Sequence, residues 1–301
     1  MTKGEIILEH LKNRVAIVTG AGAGLGRTHV LELARLGAAV VVNDLGDAAQ
    51  AVAQEVRDAG GQALAVQGNV ACFEDMQAMV DQAMQAWGRV DILVNNAGIL
   101  RDRSFAKMSL DEWRQVLDVH LMGSVHATRA VWPHMQQQGF GRVVFTTSSS
   151  GLYGNFGQSN YGAAKMAVVG LMQTLQEEGA KYNIRVNCLA PTAWTQMTQG
   201  LLPEEAEQIL TPGRVSKGLL ALVNEEAPSG LILLAGGGSF ECAYITMTEG
   251  IHLADDEDPA LSLCARLAEI QDVAGMQIPR TGWDQSRHEL AKAMPEPVTS
   301  K

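Results

Sequence analysis

Tyr161 and Lys165 stand four residues apart at the start of a stretch with helical apolar spacing, which puts both side chains on one face. A phenol ordinarily ionises near about pH 10, and a neighbouring ammonium favours the phenolate. Such a pair suits general acid/base work on an alcohol or a ketone. Ser148, thirteen residues upstream at the end of an apolar run, could hydrogen-bond the reacting oxygen. Alone, the Tyr-x-x-x-Lys spacing is equally that of two side chains on a helix surface. The seven histidines and four cysteines show no metal-ligand spacing, so no metal is expected and the thiols read as reduced.

A second constellation precedes it. An apolar run ending in Thr19 passes into Gly20-Ala21-Gly22-Ala23-Gly24-Leu25-Gly26, followed by helical spacing from Arg27 to Leu36. Glycines between a first strand and a first helix let backbone approach a pyrophosphate, and the helix start offers unpaired N–H groups. Glycine clusters also make ordinary turns, so position carries the reading. Asp44 lies about twenty residues beyond the loop; a carboxylate there accepts bonds from an adenosine ribose and repels a 2′-phosphate. With no Arg or Lys directly after it, NAD is expected over NADP, the alternative being a solvated turn aspartate.

These residues need a scaffold. Apolar runs at Val15–Thr19, Ala39–Asn43, Ala63–Val66, Ile92–Asn95, Arg142–Thr147, Ile184–Leu189 and Leu231–Leu234 read as strands buried on both faces of a parallel sheet. Between them, Glu74–Trp87, Asp111–Gln138 and Tyr161–Lys181 carry helical spacing. The alternation predicts an α/β, Rossmann-type doubly wound sheet in three layers. One domain over residues 1–301 is expected, its core at about 13–238. An acidic stretch and a helix from Pro259 then fall in a C-terminal extension, about 239–301, packed on the same domain.

A formal net charge of −10 argues against nucleic acid as a partner and sits awkwardly with an anionic substrate. The charged N-terminus and the absence of a long apolar run predict no membrane span and a cytoplasmic location. The final Thr299-Ser300-Lys301 differs from a Ser-Lys-Leu peroxisomal address.

Thr-Gly-x-x-x-Gly-x-Gly at Thr19, Gly20, Gly24 and Gly26, then Asn95-Asn96-Ala97-Gly98, Ser148, Tyr161 and Lys165, occur in the order of the short-chain dehydrogenase/reductase family, which residues 13–238 resemble. The resemblance implies that Tyr161 transfers the proton and Ser148 polarises the substrate oxygen. Lys165 would orient the nicotinamide ribose and lower the tyrosine pKa. It also places Leu25, Asn69-Val70 (where the family commonly has Asp-Val), Asn96, Ala97, Gly98 and Pro191 around NAD. His120, within Val119-His120-Leu121, stands where the family usually has a proton-relay asparagine; it could keep that relay, replace it, or be a core histidine.

The runs Asn95–Phe105, Val119–Gly123 and Gly154–Ala164 further resemble the (3R)-hydroxyacyl-CoA dehydrogenase unit of peroxisomal multifunctional enzyme type 2, also called 17β-hydroxysteroid dehydrogenase type 4. That implies oxidation of a 3-hydroxyacyl-CoA to its 3-oxo ester. An alcohol or steroid dehydrogenase without coenzyme A is the alternative, and a non-catalytic NAD-binding protein a third that the intact Ser148-Tyr161-Lys165 set opposes. Arg101 and Arg103 could meet coenzyme A or be solvated loop charges. Thr192–Gly213 would be a mobile substrate lid. The long helices of the family's usual interface imply a homodimer or homotetramer.

Overall fold

The structure is a computed structural model describing residues 11–198, 203–253 and 258–294. The chain divides into two compact units, one ending at Cys242 and one beginning at Ala243.

The first unit is built on β1 (Val15–Val18), β2 (Ala39–Asp44), β3 (Ala63–Gln67), β4 (Ile92–Asn95), β5 (Gly141–Thr146), β6 (Ile184–Thr192), β7 (Ile232–Gly236) and β8 (Ser239–Ala243). Their order across the sheet is β3-β2-β1-β4-β5-β6-β7-β8, and β1 to β7 pair in parallel. β1, β2, β4 and β5 are Val/Ile/Leu-rich and almost wholly buried because helices cover both faces. α1 (Gly24–Arg35), α2 (Ala48–Asp58) and α8 (Pro212–Val223) pack on one another in one layer. α3 (Phe73–Trp87), α4 (Leu110–Leu117), α5 (Gly123–Gln138) and α7 (Ser159–Gly179), with short α6 (Ser149–Tyr153) against α7, form the other.

Two expectations change. The seven expected strands fall within a residue or two of the observed ones, except that β6 runs on to Thr192. An eighth follows a two-residue turn in which Gly237 and Gly238 both have positive φ, 61° and 94°. That is the hairpin geometry glycine tolerates best. β8 is mostly exposed and carries no buried-strand pattern, which is why the core was expected to end near 238. The single helix expected over Asp111–Gln138 is interrupted: Asp118–Met122 is a π-helical turn between α4 and α5.

Sheet order reverses between β1 and β4, where successive crossovers leave in opposite directions and a crevice opens at the strands' carboxyl ends. The glycine loop follows β1 and Asn96–Gly98 follow β4, so topology alone brings both to this crevice.

At the opposite end of the sheet Arg142, fully buried, stacks its guanidinium 4.1 Å from the Phe140 ring centroid. It donates to the carbonyls of Asn224 (3.0 Å), Gly141 (2.8 Å), Asn183 (2.9 Å) and Glu225 (2.9 Å). Arg142→Leu would leave those carbonyls without this donor. It should lower unfolding free energy by about 3 kcal/mol, read from the urea midpoint.

The second unit holds α9 (Pro259–Ala265), α10 (Leu267–Ile270) and α11 (Gly282–Ala293), with a bridge between Met247 and Gln277. The helix expected from Pro259 begins there, capped by Asp258.

Candidate active site

The crevice is pinned by backbone. Thr19 Oγ accepts the N–H groups of Asn96 (3.0 Å) and Ala97 (3.1 Å), while the Asn96 amide donates to the carbonyls of Thr19 and Gly20, both at 3.0 Å. Gly26 is required by contact: a Cβ there would lie 2.2 Å from the Gly20 carbonyl oxygen. α1 begins without a side-chain cap at Ala23 and with no acidic residue in its first turn. Its leading N–H groups and positive dipole end therefore suit a phosphate.

Asp44 ends β2 and accepts the Gly22 N–H through Oδ2 at 2.8 Å. A Cβ at Gly22 would stand 2.9 Å from that oxygen, so the carboxylate sits directly against the loop. Arg27, directly after the glycine loop, is forked onto Glu55 (2.9 and 2.5 Å). Half-buried Leu25 packs on the core. Beyond β3, Asn69 Oδ1 accepts the Ala71 N–H (3.0 Å), shaping the turn into α3, and Val70 is buried beside it. Pro191, half-buried, lies near the end of β6 opposite Ala235. The residues assigned to a dinucleotide thus stand at the carboxyl ends of β1, β2, β3, β4 and β6.

Tyr161 and Lys165 occupy the first turns of α7, and Ser148 follows β5. Ser148 stands next to the Tyr161 phenol and favours its ionised form. Lys165 is 4% exposed; its Nζ donates to the Thr146 carbonyl at 2.6 Å and lies 5.6 Å from the Tyr161 ring centroid. Thr147 Oγ donates to the Lys165 carbonyl at 2.6 Å, locking α7 to β5.

The expected lowering of the tyrosine pKa by Lys165 is corrected by this geometry. Burial pushes the Tyr161 phenol above its ordinary value; Ser148 opposes this, and the charge of Asp102 adds to it. The Lys165 amine is turned to the Thr146 carbonyl. Burial instead lowers Lys165 itself to about 7.

His120 lies in the π-helical turn, 3% exposed. Its Nε2 faces both the N–H (3.0 Å) and the C=O (2.8 Å) of Ile99, and its ring stands edge-on to Tyr161 with centroids 5.2 Å apart. Nδ1 is buried without a partner. Burial, then the Lys165 charge, lower its pKa to about 3, so the imidazole is neutral at any working pH. Gly98 makes room for the ring: a Cβ there would lie 2.5 Å from His120 Cε1.

Gln158 and Asp102 join the site without having been singled out in the sequence. Gln158 Nε2 donates to Asp102 Oδ2 at 2.7 Å, and its Oε1 accepts the Ser150 hydroxyl at 2.8 Å. The signal available was a polar side chain three residues before Tyr161. Arg101 reaches Gln115 (3.2 Å) and Arg103 pairs with Glu112 (2.7 Å). Of the expected lid, residues 199–202, with Gly200, lie outside the described residues. The described part has Thr198 Oγ donating to the Ala193 carbonyl (2.7 Å) and the Trp194 N–H to the Leu210 carbonyl (2.7 Å). Among the described residues no His/Cys/Asp/Glu group could hold a metal, the cysteines are unbonded thiols, and no helix is long and apolar enough to cross a membrane.

Residues 14–206 match the family model described as short chain dehydrogenase, and the chain belongs to that family of oxidoreductases. A short-chain type dehydrogenase/reductase of Mycobacterium tuberculosis is 46% identical over 280 residues, 89% of this chain and 97% of that one. The peroxisomal multifunctional enzyme type 2 of Drosophila melanogaster is 49% identical over 222 residues, 70% of this chain but 37% of that one. Its full-length structure superposes with a TM-score of 0.81, covering 94% of this chain and 49% of that chain. A solved 7α-hydroxysteroid dehydrogenase complexed with NADH and 7-oxo glycochenodeoxycholic acid is 31% identical, with a TM-score of 0.73, covering 79% of this chain and 98% of that one.

Lys165→Met removes a buried base and with it the contact to Thr146; activity should fall by at least about a hundredfold. The lysine pKa is depressed on folding, so the cost of burying its charge is full below about pH 7 and is relieved as pH rises toward its ordinary value of 10.5. The stability of the parent relative to Lys165→Met should therefore rise between pH 7 and pH 10, measured by denaturant unfolding at each pH.

Proposed function

We propose that this oxidoreductase uses NAD to interconvert a secondary alcohol and a ketone, its substrate pair being a (3R)-3-hydroxyacyl-CoA and the 3-oxoacyl-CoA. The observation that carries the reading is Tyr161 next to Ser148 and one helical turn from buried Lys165, beside an uncapped helix start at the sheet's switch point. Bound at this crevice, nicotinamide would supply the hydride acceptor or donor. Gly20, Gly24, Leu25 and Gly26 would hold its pyrophosphate, Asp44 the adenosine ribose, and Asn69-Val70 the adenine. Asn96, Ala97, Gly98, Lys165 and Pro191 would surround the rest.

In oxidation Tyr161 takes the alcohol proton while Ser148 holds the same oxygen; in reduction the tyrosine returns it. Its raised pKa makes it a poor base near neutrality, so oxidation accelerates with rising pH. Neutral His120 fixes Ile99 and the Tyr161 ring and carries no charge into a relay.

Substrate choice follows the family subgroup, supported by the Drosophila relative. The pairing of Arg103 with Glu112 favours a second reading, a hydroxysteroid or other alcohol dehydrogenase without coenzyme A, because it removes one cation from anion binding. We further read the chain as a cytoplasmic homodimer or homotetramer, in line with apolar Met166 and Tyr153 exposed on the α6–α7 face.

Tyr161→Phe should lower turnover by at least about a thousandfold and leave NAD affinity within about threefold, measured by hydride transfer and by calorimetry. Comparable turnover in that variant would sink the assignment. In the parent, good steroid turnover beside inactivity on several 3-hydroxyacyl-CoA chain lengths would establish the second reading. Asp44→Ala removes the charge that repels a 2′-phosphate. The NADP-to-NAD ratio of kcat/KM should rise by about a hundredfold.

A further inference from the structure

The segment after β4, residues 99–103, is a strap at the carboxyl edge of the sheet, tied at every residue but Leu100 to the elements that carry the catalytic side chains. Ile99 is held by His120. The Arg101 carbonyl accepts from the Asn160 amide (3.2 Å), and Asn160 in turn accepts the Tyr161 N–H (2.7 Å). The Arg103 N–H donates to the Gly157 carbonyl (2.8 Å), and its guanidinium is claimed by Glu112. In the middle stands Asp102, its Oδ2 fixed by Gln158.

Gln158 is 7% exposed and uses both ends of its amide. Besides Asp102 it bonds the Ser150 hydroxyl, and the Ser150 N–H donates to Ser148 Oγ at 3.2 Å. Asn155 adds a donor to the same Gln158 oxygen at 3.1 Å, so the amide cannot flip without losing bonds. Three hydrogen bonds in series therefore connect the Asp102 carboxylate to the serine that meets the substrate oxygen. Asp102 itself is exposed.

The cations of the strap and the site take hydrogen-bond partners other than Asp102. Arg101 is drawn to Gln115 and to the Leu100 carbonyl, Arg103 to Glu112, and the Lys165 amine to Thr146 inside the fold. We propose that Asp102, held by Gln158, is a specificity-determining residue that excludes substrates bearing a free carboxylate near the reacting carbon. A 3-hydroxy acid would enter this site only with its carboxyl masked as a thioester, ester or amide. The charge of Asp102 already reaches the Tyr161 phenol. A substrate carboxylate two carbons from the reacting oxygen would meet the same field.

This rests on the proposed alcohol–ketone chemistry and deepens it. The probes are (3R)-3-hydroxybutyrate and its N-acetylcysteamine thioester, assayed with the parent and Asp102→Asn, which keeps the acceptor for Gln158 and removes the charge. The acid-to-thioester ratio of kcat/KM should rise by about tenfold in the variant. In the parent alone that ratio should climb with added salt, a response that a purely structural role would not produce. Equal ratios in the two proteins, each melting at the same temperature, overturn the proposal and leave the function standing. If the parent turns over neither thioester nor coenzyme A ester, the substrate assignment falls instead. The charge test is then read as inhibition of steroid-alcohol oxidation by the free acid against its methyl ester. Asp102→Asn should strengthen only the acid's inhibition, and no difference would overturn the proposal.

Discussion

The seam between β1 and β4 governs the rest of the first unit. Four hydrogen bonds among Thr19, Gly20, Asn96 and Ala97 join the two halves of the sheet just past their carboxyl ends, in place of the ladder that has already stopped. They hold the glycine loop at the distance at which Gly26 fits under Gly20. They also set the start of the chain that leads through Gly98 and Ile99 to the strap. His120 fills the space beside Gly98, and Tyr161 meets His120 edge-on. The cofactor crevice and the proton-transfer residues are therefore referenced to one backbone junction.

Electrostatically the site works against water. Lys165 and His120 are both buried bases with depressed pKa values, and Tyr161 is a buried acid with a raised one. In each case burial is the largest cause, so the protein's own groups favour neutral species around the reacting atoms. Ser148 is the contribution that runs the other way for the phenol. For oxidation the phenol must first give up its proton, so burial governs the pH at which the site can act as a base.

Much of this was legible in the residues, for identifiable reasons. Runs such as Val15–Thr19 and Ile92–Asn95 are continuous in Val, Ile and Leu because both faces are covered, so they stood out as strands. The glycine loop, Asp44, Ser148, Tyr161 and Lys165 are local in sequence or family-ordered, which is why they could be singled out together. The π-helical turn at Asp118–Met122 was not visible, since five residues are short against the 28-residue stretch that reads as one helix. β8 carries no buried face to mark it. The Asp102–Gln158 bond joins residues 56 positions apart, and the pKa of Tyr161 depends on a burial that composition does not report.

The π-helical turn also has a consequence for length. Each residue in a helix advances the chain by about 100°, so the extra residue in Asp118–Met122 rotates α5 relative to α4 by roughly that amount. Val116, buried in α4, and Ala127, buried in α5, lie on either side of it. Losing one residue here would change the phase between the two helices and move His120 relative to Ile99. This stretch can exchange side chains far more freely than it can change its count, and an aligned gap within it would mark a relative with a differently built proton site.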